Sequence, residues 1–445
     1  MTINFRYLLM ISLVTALGGL LFGFDISVIS GTIPFLQDYF SLNEAMKGWV
    51  VSSALLGCIA GAAFAGKLGD RWGRKKVLLV TSIFFGISAI GSGFSYSVAA
   101  FVFYRILGGL AVGAASMISP MFIAEVSPGH LRGRMVSINQ LTIVLGISLA
   151  YYSNYFLLSL GENSWRWMFA AEAAPSLLFF AMLFFIPESP RWLVTRQKKQ
   201  DAKAVLTKIG GNDFAASELT SIEKSFLADG TKQKLKAVFQ PKYRLVLLLG
   251  ILLAVFQQWS GINVIFFYAP DIFAKARLGI GDALFQTTLI GIVNILFTFF
   301  SMLLIDKTGR KKLMLTGSAG MTVCYFLIGT LFYTGNETGW ALIVLILLTI
   351  AFFSTGLAPT VWVVISEIFP NKIRGVAMSV ATFFLWVACY LLTLSFPVFV
   401  EWFSVATTFG IYGLICLAGA FIIFRFLPET KGTSLEELEK SLIKE

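Results

Sequence analysis

The sequence predicts an all-α membrane protein of twelve transmembrane helices in two pseudo-symmetric six-helix bundles, and three observations predict it. The 445 residues are 57% hydrophobic and only 13% charged, with a mean hydropathy of +0.80, too apolar for an ordinary water-soluble chain of this length. Apolar windows of about 20 residues, the length that crosses a bilayer, occur six before and six after a polar stretch at 188–243. Motifs of the first half also return in the second at nearly constant offset. Asp70-Arg71-Trp72-Gly73-Arg74-Lys75-Lys76 recurs 236 residues on as Asp306-Lys307-Thr308-Gly309-Arg310-Lys311-Lys312. Glu125-Val126-Ser127-Pro128 recurs 242 residues on as Glu367-Ile368-Phe369-Pro370, and Pro187-Glu188-Ser189 recurs 241 on as Pro428-Glu429-Thr430. Such a duplication within a membrane implies two parallel bundles with a site between halves that rock against each other.

The elements follow in order. The first window, 7–31, runs on through Gly18-Gly19 to Asp25 and is read as a retained helix, not a cleaved leader. The next five lie at 48–66, 77–94, 98–124, 136–160 and 166–186, and the second six at 245–269, 283–305, 313–333, 340–366, 376–400 and 404–427. Between the sets, Ser189-Pro190 pairs an N-cap with a proline suited to the first helical position, and Trp192, Leu193, Val205, Leu206 and Ile209 line one face. Short amphipathic helices are expected there. In the tail, Ser434 and Glu437 have capping-box spacing. The expected division is an N-terminal bundle at 1–187, a linker at 188–243, a C-terminal bundle at 244–428 and a tail at 429–445.

Charge and cysteine usage exclude several classes. The net charge of +11 falls almost wholly on one side if the N-terminus is cytoplasmic: the outer loops then hold Lys47, Arg166, Lys275 and Arg277. That is the positive-inside pattern and not a nucleic-acid surface. Cys58, Cys324, Cys389 and Cys416 sit in apolar segments and imply no disulfide framework. His130, the sole histidine, lies in an inner loop and reads as interfacial, and Asn336-Glu337-Thr338 is a sequon on an outer loop. No phosphate loop, zinc spacing or nucleophilic triad is evident, so no enzyme, cofactor or metal is expected.

Three ionisable groups fall inside spans, where a charge is a functional hypothesis. Asp25, Arg105 and Glu172 each lie roughly 9–10 Å below the outer end of their helices at 1.5 Å per residue, and so share one level. A permanent ion pair stapling two helices is one reading. The sharper one is a proton switch, in which protonating Asp25 releases Arg105 and Glu172 shares the proton. A second constellation is uncharged. Gln257 and Gln258 are near mid-span, followed by Trp259-Ser260-Gly261-Ile262-Asn263, where Ser-Gly loosens the helix; Gln140, Asn294, Trp362 and Trp386 lie in other spans. Amides that both donate and accept, set beside indole faces, suit a neutral ligand covered in hydroxyls: a sugar.

These residues resemble the sugar porter family of the major facilitator superfamily. The matching strings are Gly23-Phe24-Asp25 with Val28-Ile29-Ser30-Gly31, Gly69-Asp70-Arg71-Trp72-Gly73-Arg74-Lys75, Pro187-Glu188-Ser189-Pro190-Arg191-Trp192-Leu193, Gln257 to Asn263, and Pro428-Glu429-Thr430-Lys431-Gly432. The resemblance leans towards bacterial proton–sugar symporters of the xylose type. It implies the major facilitator fold, with sugar-binding positions at Gln140, Gln257, Gln258, Asn263, Asn294, Trp362 and Trp386, and proton coupling at Asp25 and Arg105. It also implies an inner salt-bridge network of Asp70, Arg71, Arg74, Glu125, Arg134, Glu188, Arg191, Asp306, Arg310, Glu367, Arg374 and Glu429. Two departures are Leu385 before Trp386, where relatives carry an amide, and Leu357-Ala358-Pro359 in place of a glycine-rich approach to Trp362.

The expectation is a proton-coupled symporter importing a monosaccharide, pentose or hexose, by alternating access. It would sit in the cell membrane with both termini cytoplasmic and act as a monomer on a neutral sugar and a proton. A facilitative uniporter and a non-transporting sugar receptor are the alternatives.

Overall fold

The computed structural model describes residues 3–228, 238–337, 340–370 and 373–431, apart from the side chains of residues 225–228 and Asp306. The Ser434 and Glu437 capping box and Thr338 of the sequon lie outside the described residues. Among the described residues every regular element is helical. The first half holds α1 (Phe5–Phe40), α2 (Glu44–Trp72), α3 (Arg74–Gly93), α4 (Val98–Val126), α5 (Arg132–Leu157), α6 (Ser164–Ala170) and α7 (Ala173–Leu183). The linker holds α8 (Pro190–Thr195) and α9 (Lys199–Ala228). The second half holds α10 (Arg244–Trp259), α11 (Ile262–Lys275), α12 (Ile280–Thr308), α13 (Arg310–Thr334), α14 (Trp340–Gly356), α15 (Thr360–Ile368) and α16 (Arg374–Phe426).

Each apolar window is found as helix, although elements and windows do not match one to one. The sixth window is split into α6 and α7, the seventh into α10 and α11, and the tenth into α14 and α15. Conversely, α16 carries the last two windows, separated where Ser404 takes φ 78°. The amphipathic linker also forms. Ser189 Oγ accepts from the Trp192 amide to cap α8, with Pro190 at its first turn, and Leu193, Val205, Leu206 and Ile209 are buried. The Asn4 amide donates to the Ile209 carbonyl at 2.7 Å, tying the start of the chain to α9.

The chain forms two compact units that do not coincide with its sequence halves. The first comprises Met1–Ile26, Leu56–Ile147 and Arg166–Lys232; the second comprises Ser27–Leu55, Ser148–Trp165 and Gln233–Glu445. In the first unit, α1 and α5 approach backbone to backbone. A Cβ on Gly23 would lie 2.0 Å from the Ile143 carbonyl oxygen, and one on Gly146 would lie 2.0 Å from that of Leu20. Close approach through small residues is how helices associate in lipid, where apolar burial supplies little.

In the second unit, one end of α2 packs beside α11. Lys47, expected in a loop, instead lies in the first turn of α2 and is 3% exposed. Its ammonium pairs with Glu44 at 2.7 Å and with Asp271 of α11 at 3.3 Å. Tyr151 donates its hydroxyl to the Phe266 carbonyl at 2.9 Å in the same unit.

Candidate functional site

The charged cluster lies wholly in the first unit. Arg105 Nη1 donates to Asp25 Oδ1 at 2.6 Å and Nη2 donates to the Asp25 carbonyl at 3.1 Å, so one guanidinium grips both side chain and backbone of α1. Asp25 and Arg105 are each 1% exposed and Glu172 is fully buried. The guanidinium also stands over the Phe169 ring, 5.4 Å from its centroid. Gly108 admits the pair, since a Cβ there would meet Asp25 Oδ1 at 3.2 Å and Ser88 Oγ at 2.3 Å.

Asp25 Oδ2 and both Glu172 oxygens have no donor among the described residues. The two carboxyls are near enough to bond through a shared proton. Fully ionised, the cluster carries two negative charges against one positive in a medium that penalises net charge. One proton balances it.

The amide cluster lies in the second unit, where two helices break. Gly261 takes φ 84° between α10 and α11, the loosening that Ser260-Gly261 predicts. The Gln257 amide, 3% exposed, donates to the carbonyls of Leu357 and Ala358 at 3.1 and 3.0 Å. Gln258 Nε2 donates to Gln257 Oε1 at 3.3 Å, and Asn263 Nδ2 donates to Gln258 Oε1 at 2.5 Å. Asn294 accepts at Oδ1 from Ser354 at 2.7 Å and from Thr298 at 3.4 Å. Gln258 and Asn263 are half-buried, as is Trp362 in the first turn of α15, whereas Trp386 is buried in α16. Leu385 is also buried and adds no polar atom. Gln140 is half-buried on α5, in the first unit.

The duplicated motif folds the same way twice. Gly73 and Gly309 take φ 98° and 95°, a conformation favouring glycine. Glu188 accepts from the Arg74 and Lys75 amides at 3.0 and 3.2 Å, and Glu429 accepts from those of Arg310 and Lys311 at 2.9 and 3.2 Å. Each acid thus caps the exposed donors of a helix start. Burial pushes the Glu188 carboxyl above its ordinary range, opposed by the Ser189, Lys75 and Arg74 amides that bond its charged form.

Arg74 forks onto Glu125, with Nε to Oε2 at 3.0 Å and Nη2 to Oε1 at 2.9 Å, and also pairs with Asp70 at 3.3 Å. Arg310 pairs with Glu367 at 3.2 Å. Three members of the expected salt-bridge set stand differently. Arg71 and Arg134 are exposed and Arg374 Nε donates to the Phe369 carbonyl at 3.2 Å; none of the three is within 4 Å of an acid among the described residues. Arg374 Nη2 and Glu367 Oε2 are each buried without a hydrogen-bond partner among the described residues. Arg191 is exposed in the first turn of α8, and the Asp306 side chain is outside the described residues.

Residue pattern alone missed Ser301, Ser354, Thr298 and the Lys47–Asp271 pair. The available signal for Ser301 was Pro359, which lacks an N–H and so frees the Thr355 carbonyl; Ser301 Oγ donates to that carbonyl at 2.7 Å.

A family model described as "Sugar (and other) transporter" matches residues 11–442. The arabinose-proton symporter of Bacillus subtilis (strain 168) is 41% identical over 444 residues, covering 98% of this chain and 96% of the relative. The D-xylose-proton symporter of Escherichia coli (strain K12) is 40% identical over 474 residues, with the same coverage. Among solved structures, the inward open conformation of the xylose transporter XylE from E. coli matches with TM-score 0.87 at 39% identity, over 98% of this chain and 100% of that one. The proton:xylose symporter XylE bound to 6-bromo-6-deoxy-D-glucose matches with TM-score 0.81 at 38% identity, over 99% of this chain and 100% of that one.

Proposed function

The chain belongs to the sugar transporter family, and we propose that it is a proton-coupled symporter that imports a neutral monosaccharide, pentose or hexose, by alternating access. The observation that carries the coupling is the fully buried set of two carboxyls and one guanidinium. A facilitator needs no such group. Relatives 40 and 41% identical over nearly the whole chain bear the names of xylose- and arabinose-proton symporters, which supports the same class.

The cycle follows from charge. With both acids ionised, Arg105 is held at Oδ1 and at the carbonyl of Asp25, and α1 is clamped to α4. A proton arriving at Asp25 Oδ2 or Glu172, the atoms without donors, neutralises the cluster and weakens the clamp. Sugar binds in the second unit through the exposed parts of Gln258 and Asn263, the Asn294 amide nitrogen and the Trp362 and Trp386 faces. Hydroxyls exchange water for amide partners there, at a net gain of about 1 kcal/mol per bond.

The termini are assigned to the cytoplasm, which places the Gly73 and Gly309 turns, with their Arg74–Glu125 and Arg310–Glu367 pairs, on the inner face. The Lys47–Asp271 pair then lies on the outer one. The protein acts as a monomer in the cell membrane, surrounded by lipid. The test is a sugar pulse to weakly buffered, de-energised cells expressing the protein. External alkalinisation supports symport; sugar entry with no pH change leaves a uniporter, and no entry of any sugar overturns the reading.

A further inference from the structure

We propose that Ser354 is a positioning residue that sets the polarity of the sugar site at Asn294: it holds the amide oxygen, so that only N–H donors face the ligand there. The proposal rests on the reading of the amide cluster as the sugar site.

The arrangement begins in the sequence of α12. Asn294, Thr298 and Ser301 follow at spacings of four and three and are the polar side chains of an otherwise apolar run at 289–305, which puts all three on one face of the helix. In lipid such a stripe seeks partners on a neighbouring helix. Thr298 and Ser301 are fully buried, and Asn294 is 3% exposed. The partner is the end of α14. Ser301 donates to the Thr355 carbonyl at 2.7 Å, and Ser354, also fully buried, donates to Asn294 Oδ1 at 2.7 Å.

An asparagine offers one carbonyl oxygen and one NH2 group, and a serine hydroxyl has a single hydrogen to give. The Ser354 bond has the length expected for O–H···O, whereas Thr298 reaches the same oxygen only at 3.4 Å. Ser354 therefore does the orienting. Asn294 Nδ2 has no acceptor among the described residues, and it is not one of the fully buried polar atoms, so the exposure that Asn294 keeps includes its two N–H groups. A hydroxyl that meets this residue must accept.

Without the Ser354 bond the amide is not fixed. The terminal torsion of asparagine is broad and roughly two-fold, so a half turn exchanges nitrogen for oxygen. The site would then take a donating hydroxyl as readily as an accepting one. The parent sugar, whose hydroxyls do both, would lose little. An analogue that can only accept would lose its advantage, and fluorine in place of a hydroxyl is such a group.

The experiment measures binding of the best monosaccharide, its monodeoxy analogues and its monofluorodeoxy analogues to the unsubstituted protein, Ser354→Ala and Ser354→Thr. Ser354→Cys, of similar size but a weak donor, stands in if Ser354→Ala fails to fold. At one carbon or more, the fluoro analogue is expected to bind the unsubstituted protein about threefold or more tighter than the deoxy analogue, a part of one net hydrogen bond. Ser354→Ala should abolish that ratio at one carbon only, with the parent sugar within about threefold of its original affinity. Ser354→Thr, which keeps the hydroxyl, should restore it. One common loss across all analogues, or ratios unchanged at every carbon, overturns the proposal. A second readout needs no sugar: the side-chain NH2 resonances of Asn294, identified in protein carrying isotope-labelled asparagine by their loss in Asn294→Ser, should move in Ser354→Ala and return in Ser354→Thr. Resonances that stay in place also overturn it. If the unsubstituted protein binds no monosaccharide, the sugar-site reading fails, and these resonances still decide whether Ser354 holds the amide.

Discussion

Asp25→Asn removes one charge and almost no volume, and its outcome can be worked from the buried cluster. Asparagine still presents an oxygen to Arg105 Nη1, and the second bond, from Nη2 to the residue 25 carbonyl, does not involve the side chain. Glu172 then balances Arg105 alone, so the cluster is neutral with no proton bound and gains nothing from taking one. One proton crossing 100 mV supplies about 2.3 kcal/mol, and at about 1.36 kcal/mol per tenfold this sustains roughly fifty-fold sugar accumulation. The variant should accumulate none, while exchange of labelled sugar between two pools stays within about threefold of the original. The assay is paired: uptake into proteoliposomes with an imposed potential, and counterflow without one. Accumulation that persists would mean the proton rides elsewhere. Loss of counterflow as well would make Asp25 a structural pair with Arg105 and nothing more.

Further outcomes are expected. Gln258→Ala and Trp362→Ala should each weaken sugar binding about tenfold or more, or about 1.4 kcal/mol, by titration calorimetry; unchanged binding in both displaces the site. Lys47→Met leaves Glu44 and Asp271 facing each other, so labelling of a cysteine placed beneath that end of α2 should quicken. Removing one partner of a fully buried pair costs about 3–5 kcal/mol, and less is expected here because the acids are 27% and 19% exposed. Swapping the charges at Lys47 and Asp271 should restore the slow rate, and a swap that does not would show that this pair does not hold that end of α2 against α11. Gly73→Ala and Gly309→Ala should both destabilise, by about 1–3 kcal/mol for the strained backbone, since a Cβ would also sit 2.2 Å and 2.6 Å from Glu188 and Glu429. Thermal unfolding in detergent reads this, and a neutral result at either glycine would break the equivalence of the two turns.

Much of this was legible in the residues because membranes leave few options. A charge within an apolar window must find a partner, so Asp25, Arg105 and Glu172 point to one another from the sequence itself. The repeated Asp-x-x-Gly-Arg motif was legible as a duplication, whereas the acid cap and the positive φ that exclude a side chain at Gly73 and Gly309 appear only in the folded chain. What stayed hidden depended on backbone atoms. Gln257 looks like its neighbour Gln258 in sequence, and only the fold shows that its amide meets the Leu357 and Ala358 carbonyls. Lys47 read as a loop charge because a window average cannot see that α2 starts at Glu44 and buries its first turn against Asp271. Arg71, Arg134 and Arg374 carried the right charge in the right motif, yet which arginine reaches the acid is settled by packing geometry that composition does not encode.

Sugar and proton are expected to move together, and one measurement tests this coupling most directly. A panel of labelled pentoses and hexoses would be offered to vesicles holding the purified protein, with and without an inward proton gradient. Accumulation of at least one sugar, collapsing when a protonophore is added, is the predicted result. Equilibration that ignores the gradient would contradict it.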